Sequence, residues 1–190
     1  MAFLTTERLV LRDFVEDDAE AVFALVDDPE VMRHINGGKP ASRAAVRERT
    51  LPELLRGVPA FGGGRAVWAA EERAGGRFVG WFALRPTDPD QPDVADLGYR
   101  LRRDAWGRGY ATEGARAVVD KGFGELGVRL VVADTMTVNT GSRRVLEKVG
   151  LSFVNQFHTV WPEVIEGSEQ GDVAYELTRD AWAAARRGPG

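Results

Sequence analysis

One stretch restricts the fold more than any other: Leu97-Gly98-Tyr99-Arg100-Leu101-Arg102-Arg103-Asp104-Ala105-Trp106-Gly107-Arg108-Gly109-Tyr110-Ala111-Thr112-Glu113. Val94–Arg102 reads as a strand. Gly107–Gly127 reads as a glycine-rich turn feeding a helix, on which Ala111, Ala115, Val118, Val119, Gly122 and Leu126 recur at helical spacing. A chain that passes from strand to Gly-x-Gly turn to helix aims consecutive N–H groups and the positive end of a helix dipole at one point, which suits an anion. Glycines there let the backbone approach a ligand and take positive φ. Arg102, Arg103 and Arg108 add charge, so the expected guest is a phosphate or pyrophosphate. A P-loop is absent, because no Gly-x-x-x-x-Gly-Lys-Ser/Thr occurs. A dinucleotide fingerprint would need a third glycine where Thr112 stands. Gly114 is near and Asp134 could imitate the ribose-binding acid, but that fold is built from repeated βα units.

The rest of the chain does not alternate in that way. Arg8–Phe14 reads as a strand and Asp17–Asp28 as an amphipathic helix that Pro29 stops. Ser42 caps a second helix, Arg43–Arg56, which Pro52 should shift or kink. Arg65–Glu72 and Arg77–Arg85 form a hairpin, and Pro86–Pro92 reads as a loop. Leu130–Thr135 is strand-like, Asn139–Val149 is a short helix ending at Gly150, Leu151–Val160 and Asp172–Leu177 are closing strands, and Arg179–Arg187 is a tail helix. The expectation is an α/β (α+β) fold with a mixed sheet, in one domain over 1–187 with a frayed end at 188–190.

Composition narrows the chemistry. The 190 residues include no cysteine and only two histidines, His34 and His158, in no His-Glu-x-x-His pairing. Disulfide scaffolds, cysteine-ligated metals and cysteine nucleophiles are excluded, a zinc hydrolase is not expected, and the site should need no metal. The lack of cysteine suits a cytoplasmic location. A net charge of −4 argues against nucleic acid, and no apolar run approaches the ~20 residues that span a bilayer.

Trp106-Gly107-Arg108-Gly109-Tyr110-Ala111-Thr112-Glu113 resembles the acetyl-CoA-binding motif of the GNAT superfamily of N-acetyltransferases, and is most similar to its RimJ/RimL-like branch. Thr6-Glu7-Arg8-Leu9-Val10-Leu11-Arg12 resembles that branch's first strand, Val138–Leu151 its second cofactor segment, and Asp172–Leu177 its last strand. The chain departs at Asp104, where the superfamily often has Gln or Arg, and at Leu151, where Phe is usual. The resemblance implies a mostly antiparallel, splayed central sheet flanked by helices, with the splay placed at a bulge. It implies acetyl-CoA as co-substrate, held by Leu101, Arg102, Arg103, Gly107, Arg108, Gly109, Tyr110, Ala111, Thr112, Asn139 and Ser142. The acceptor would be an amine, on a small molecule or a protein N-terminus, with no nucleic acid or membrane as partner and a monomeric or homodimeric chain.

Acyl transfer to an amine needs a neutral nucleophile, a stabilised oxyanion and an exit for the thiolate. Asp96 is the leading base, at the start of the strand that reaches the turn, with Glu71 as runner-up. Ser142 is the candidate proton donor to the thiolate, and Glu113 reads as helix-start structure. The acceptor region is expected near Met32, His34, Ile35, Asn36, Phe61 and the Phe157–Glu169 loop, where Glu163, Glu166 and Glu169 could attract a cation; Trp68 and Trp81 read as core. The alternative is a non-catalytic acyl-CoA-binding or sensing module.

Overall fold

A computed structural model describes residues 2–61, 64–88, 91–159 and 164–187. The strands are β1 (Ala2–Thr5), β2 (Leu9–Arg12), β3 (Val67–Glu72), β4 (Phe78–Asp88), β5 (Gln91–Leu101), β6 (Leu130–Met136), β7 (Ser152–Phe157) and β8 (Asp172–Thr178). They form one sheet in the order β1-β2-β3-β4-β5-β6-β8-β7. Every neighbouring pair is antiparallel except β5 and β6.

The parallel pair is short. Val94, Ala95 and Asp96 face Leu130, Val131 and Val132, and the pairing ends there. β5 nevertheless runs on to Leu101 against β4, and β6 runs on to Met136 against β8. The sheet therefore splays beyond Asp96, as the resemblance implies. The expected bulge is not on β5, whose register with β4 is continuous from Ala95 to Leu101. It lies one strand away, where the β3–β4 register shifts between Ala70 and Glu71. Gly80 stands there with φ +141, and a Cβ on it would come within 2.1 Å of the Arg100 carbonyl oxygen. Only glycine permits that approach and that dihedral.

Helices cover both faces. On one lie α1 (Ala19–Val26), α2 (Pro29–Asn36) and a broken helix of α3 (Arg43–Ala45), a π-helical turn (Val46–Thr50) and α4 (Leu51–Leu54). Their apolar residues pack on Val67, Ala69, Trp81 and Ala83. On the other face lie α5 (Tyr110–Gly124) and α6 (Thr140–Val149), whose core is built with Phe82, Leu84, Leu97, Val131 and Tyr175. The terminal α7 (Arg179–Arg187) lies outside α5: Trp182 stacks near Phe123 and donates its Nε1–H to Asp120 at 2.6 Å.

Three prolines play different parts. The first helix ends at Val26, before Pro29, as expected, but Pro29 interrupts nothing further. It is the first residue of α2, with Asp28 accepting from the Glu30 and Val31 N–H groups, because Pro at N1 gives up an N–H with no intrahelical partner. The break near Pro52 is absorbed in the preceding π turn. Pro86 continues β4 opposite Ala95, with a register shift before Asp88, so the expected loop is mostly a long hairpin. Residues 188–190 lie outside the described residues. Among those described, no helix is long and apolar enough to cross a membrane.

Gly114 tests the packing of α5 on the sheet. A Cβ there would sit 2.2–2.6 Å from the Phe82 ring. Alanine should gain about 1 kcal/mol of helix propensity yet lose more to overpacking. Gly114→Ala is expected to lower stability by about 1–3 kcal/mol in denaturant unfolding; an unchanged midpoint would refute the close contact.

Candidate functional site

Because β5 has no neighbour on its β6 side beyond Asp96, the backbone groups of Leu97–Leu101 on that edge have no strand partner. Into this gap opens a cavity of about 840 Å³. Its lining comes from both faces of the sheet: Tyr99–Leu101, the turn from Ala105 to Thr112, the start of α6 with Arg144 and Lys148, residues of α2, and Glu166, Gly167, Glu169 and Gln170.

The turn is shaped by two positive dihedrals, φ +71 at Gly107 and φ +81 at Gly109, the N-cap of α5. The N–H groups of Tyr110, Ala111 and Thr112 lie in the first turn and have no intrahelical partner. The turn is held from outside by Glu113. Its Oε1 accepts from Thr6 Oγ1 at 2.6 Å and from the Arg8 N–H at 2.9 Å, and its Oε2 accepts from Arg8 Nε at 2.7 Å. Arg8 also donates to the Arg108 carbonyl at 2.8 Å and lies over the Tyr110 ring. Glu113 is thus a structural clasp between the β1–β2 hairpin and α5. Burial alone would raise its pKa, but the hydrogen bonds from Thr6 and Arg8 outweigh it and hold the carboxylate below its usual range.

Gly107, Gly109, Tyr110, Ala111, Thr112 and Leu101 all border the cavity. The arginines expected beside them are placed differently. Arg102 and Arg103 line a separate shallow pocket with Asp28 and Val31, and Arg102 reaches Asp104, 3.2 Å away. Asp104 also pairs with Arg77 at 2.9 Å, which accounts for a carboxylate so near an anion site. Arg108 gives its carbonyl to Arg8, and its guanidinium approaches Glu72 at 3.7 Å. On the α5–α6 side the cations that border the cavity are Arg144 and Lys148, one helical turn apart on α6, while Arg33 and Arg100 border it from the other side. Sequence reasoning missed them, although their i, i+4 spacing on a cofactor-segment helix was the available signal.

Asn139 caps α6, accepting from the Ser142 N–H at 3.1 Å, and also borders the cavity. Ser142 Oγ lies 2.9 Å from the Tyr99 hydroxyl. Burial pushes the Tyr99 phenol up to about 12, against a smaller opposing effect of Ser142, so it is protonated at neutral pH. The position of Tyr99 opposite Phe82 turns its ring to the α5 side.

Asp96 stands at the apex of the splay. Burial raises its pKa, Arg85 at 3.9 Å opposes that, and the charge of Asp134 adds to it. Glu71 is committed elsewhere: Arg12 clamps it at 2.5 Å together with Asp18 at 2.7 Å. His34 borders the cavity with a buried, unpartnered Nδ1, and burial first, then Arg33, lowers its pKa. Ile35 also borders the cavity, whereas Met32 is core and Asn36 binds the Lys39 backbone. Phe61 packs on the core beneath α5, and His158 lies 3.3 Å from the Glu169 carbonyl. Trp68 and Trp81 are buried, Trp68 stacked on Phe3. Glu166 and Glu169 line the cavity, while Glu163 lies outside the described residues. Among the described residues no group of acids or histidines could hold a metal.

Residues 8–152 match the family described as acetyltransferase (GNAT) domain. The FsC-acetyl coenzyme A-N(2)-transacetylase of Aspergillus fumigatus is 36% identical over 187 residues, covering 94% of this chain and 77% of that one. Among solved structures, a GNAT-family acetyltransferase from Bacillus anthracis superposes with a TM-score of 0.76 at 22% identity, over 93% of this chain and 98% of that one. RimL, a ribosomal L7/L12 alpha-N-protein acetyltransferase in complex with coenzyme A, superposes with 0.74 at 18% identity, over 95% of this chain and 99% of that one. At these identities the structural likenesses establish the fold alone.

The clasp has a measurable signature. Glu113→Ala is expected to cost about 1–3 kcal/mol, since it removes charge-assisted hydrogen bonds from Thr6 and Arg8. Because the folded pKa is depressed, that contribution is present above the unfolded carboxylate value and fades as pH falls through the folded one. Thermal melts of both proteins over pH 7 to 3 should converge toward the acid end; a constant gap would refute it.

Proposed function

The chain belongs to the GNAT acetyltransferases and uses acetyl-CoA as co-substrate for N-acetylation, and from that premise we propose that it acetylates a primary amine of a small molecule by direct attack within a ternary complex. The observation that carries this reading is a cavity bordered from both faces of the sheet, with donor-suited groups at one end and α2 and Glu166–Gln170 at the other. A relative that covers most of the chain is named for N(2)-acetylation of FsC, which favours a small acceptor over a protein N-terminus.

The residues fit the donor. The first-turn amides after Gly109 suit its pyrophosphate, Arg144 and Lys148 suit its remaining phosphate charge, and the open edge of Leu97–Leu101 suits the amides of its pantetheine arm. Bound acetyl-CoA supplies a thioester carbon. The reaction exchanges its C–S bond for a C–N bond, releases the thiol, and requires one proton to leave the ammonium and one to reach the sulfur.

Asp96 is the group proposed to take the first proton, directly or through a water. Burial makes it more basic than an ordinary aspartate while Arg85 keeps it ionisable. The Tyr99–Ser142 hydroxyl pair is proposed to supply the second, since the phenol retains its proton at neutral pH. A backbone N–H on the open edge of β5 is suited to the developing oxyanion.

Asp96→Asn should lower kcat by about 100-fold or more while acetyl-CoA affinity, read by calorimetry, is retained. The acid limb of the wild-type pH–rate profile should lie above the ordinary aspartate range, because the ionised form is active and its pKa is raised. It should be absent from the variant. Equal rates, or the same limb in both proteins, would remove Asp96 from the mechanism.

A further inference from the structure

The acceptor side of the splay carries charges that the transfer step does not use. Arg100 lies on β5 opposite Trp81, its guanidinium 5.3 Å from that ring, and it borders the cavity. Its Nε is buried without a hydrogen-bond partner. The nearest charge acting on it is another cation: Arg85, 5.2 Å from the same indole. Burial and then Arg85 lower Arg100 to about 10, which leaves it charged at neutral pH. Gly98 separates Asp96 from Arg100 on β5, and a Cβ there would come within 3.1 Å of Arg85 Nη1. A desolvated guanidinium with no carboxylate beside it is costly. A bound anion would remove that cost.

The opposite arm has the opposite sign. Asp134 of β6 and Asp172 of β8 are diagonal neighbours across the Asp134–Ala174 register, on the sheet face that carries Asp96 and Arg100. Asp172 is 5% exposed with Oδ2 unpartnered, and burial together with the Asp172 charge raises the pKa of Asp134. Beyond Asp96 this face of the sheet therefore carries cations on β4 and β5 and carboxylates on β6 and β8, of which Arg100 borders the cavity.

We propose that the acceptor is an amino acid, a primary amine joined by a short spacer to a carboxylate, with Arg100 binding the carboxylate and the exposed Asp134, on the face that carries Asp96, drawing the ammonium. The assignment rests on the acetyl-transfer reading above. It makes Arg100 a specificity-determining residue, and it disfavours polycationic amines, which would meet Arg100 and Arg85 without an anion to offer.

The test is release of free CoA from acetyl-CoA with matched pairs: β-alanine, 4-aminobutyrate and lysine, each against its carboxamide. The acid should exceed the amide by about 10-fold or more in kcat/KM for at least one spacer, mainly through KM. Arg100→Gln should bring that ratio to within about twofold, and Arg100→Lys should keep part of it. The Lys variant and the wild-type ratio decide the matter should the Gln variant not fold. Equal use of every pair by the wild-type chain, a ratio unchanged in Arg100→Gln, or turnover confined to a polyamine such as spermidine would overturn the proposal. Acetyl-CoA that neither binds nor is consumed with any amine would overturn the transfer reading instead.

Discussion

The parallel contact between β5 and β6 is three residues long, and the site follows from its brevity. Each strand is held far more extensively by its outer neighbour: β5 by β4 from Ala95 to Leu101, and β6 by β8 along its whole length. Two antiparallel blocks, each with its own right-handed twist, share a hinge from Val94 to Asp96 and separate beyond it. Unpaired backbone inside a sheet is costly unless a ligand or water satisfies it. Here the open edge becomes the floor of the cavity, and α5 begins where β5 ends.

Around that hinge the two faces divide the work. The α5–α6 face supplies backbone donors and two cations, which suit a large, invariant, anionic donor. The opposite face supplies side chains of mixed charge and the mouth between α2 and Glu166, where Arg33 and Glu166 meet at 3.3 Å. Recognition by main chain on one side and by side chain on the other explains why one half of such a site can stay generic while the other is particular to its acceptor.

The donor half was legible because it depends on backbone conformation. Gly107 and Gly109 announce positive φ, Asn139 a cap, and a strand-to-helix turn an anion cradle. The acceptor half was not, because it depends on which side chains of β5, β6 and β8 share a face across a junction that joins residues 96 and 132. Arg100 looked like one more arginine in a basic run, and only the register shows it set against Trp81 beside the cavity, while Arg102 and Arg103 line another pocket. The same distance in sequence hid the purpose of Glu113, whose partners Thr6 and Arg8 lie over a hundred residues away. Short-range signals fell short at Pro29, which opens a second helix after the one that ends before it, and misled at Pro86, which extends a strand.

Gly80 touches no part of the cavity, yet the Arg100 carbonyl lies where its side chain would begin. The first residues of β4 and the last paired residues of β5 are thus pressed together just before the chain enters the cradle. The angle at which the β5 arm leaves the hinge is set behind the floor, by a missing methyl group. Any attempt to recast the acceptor end by exchanging its lining alone inherits that angle, so the bore of the channel belongs to the frame and only its colouring belongs to the walls.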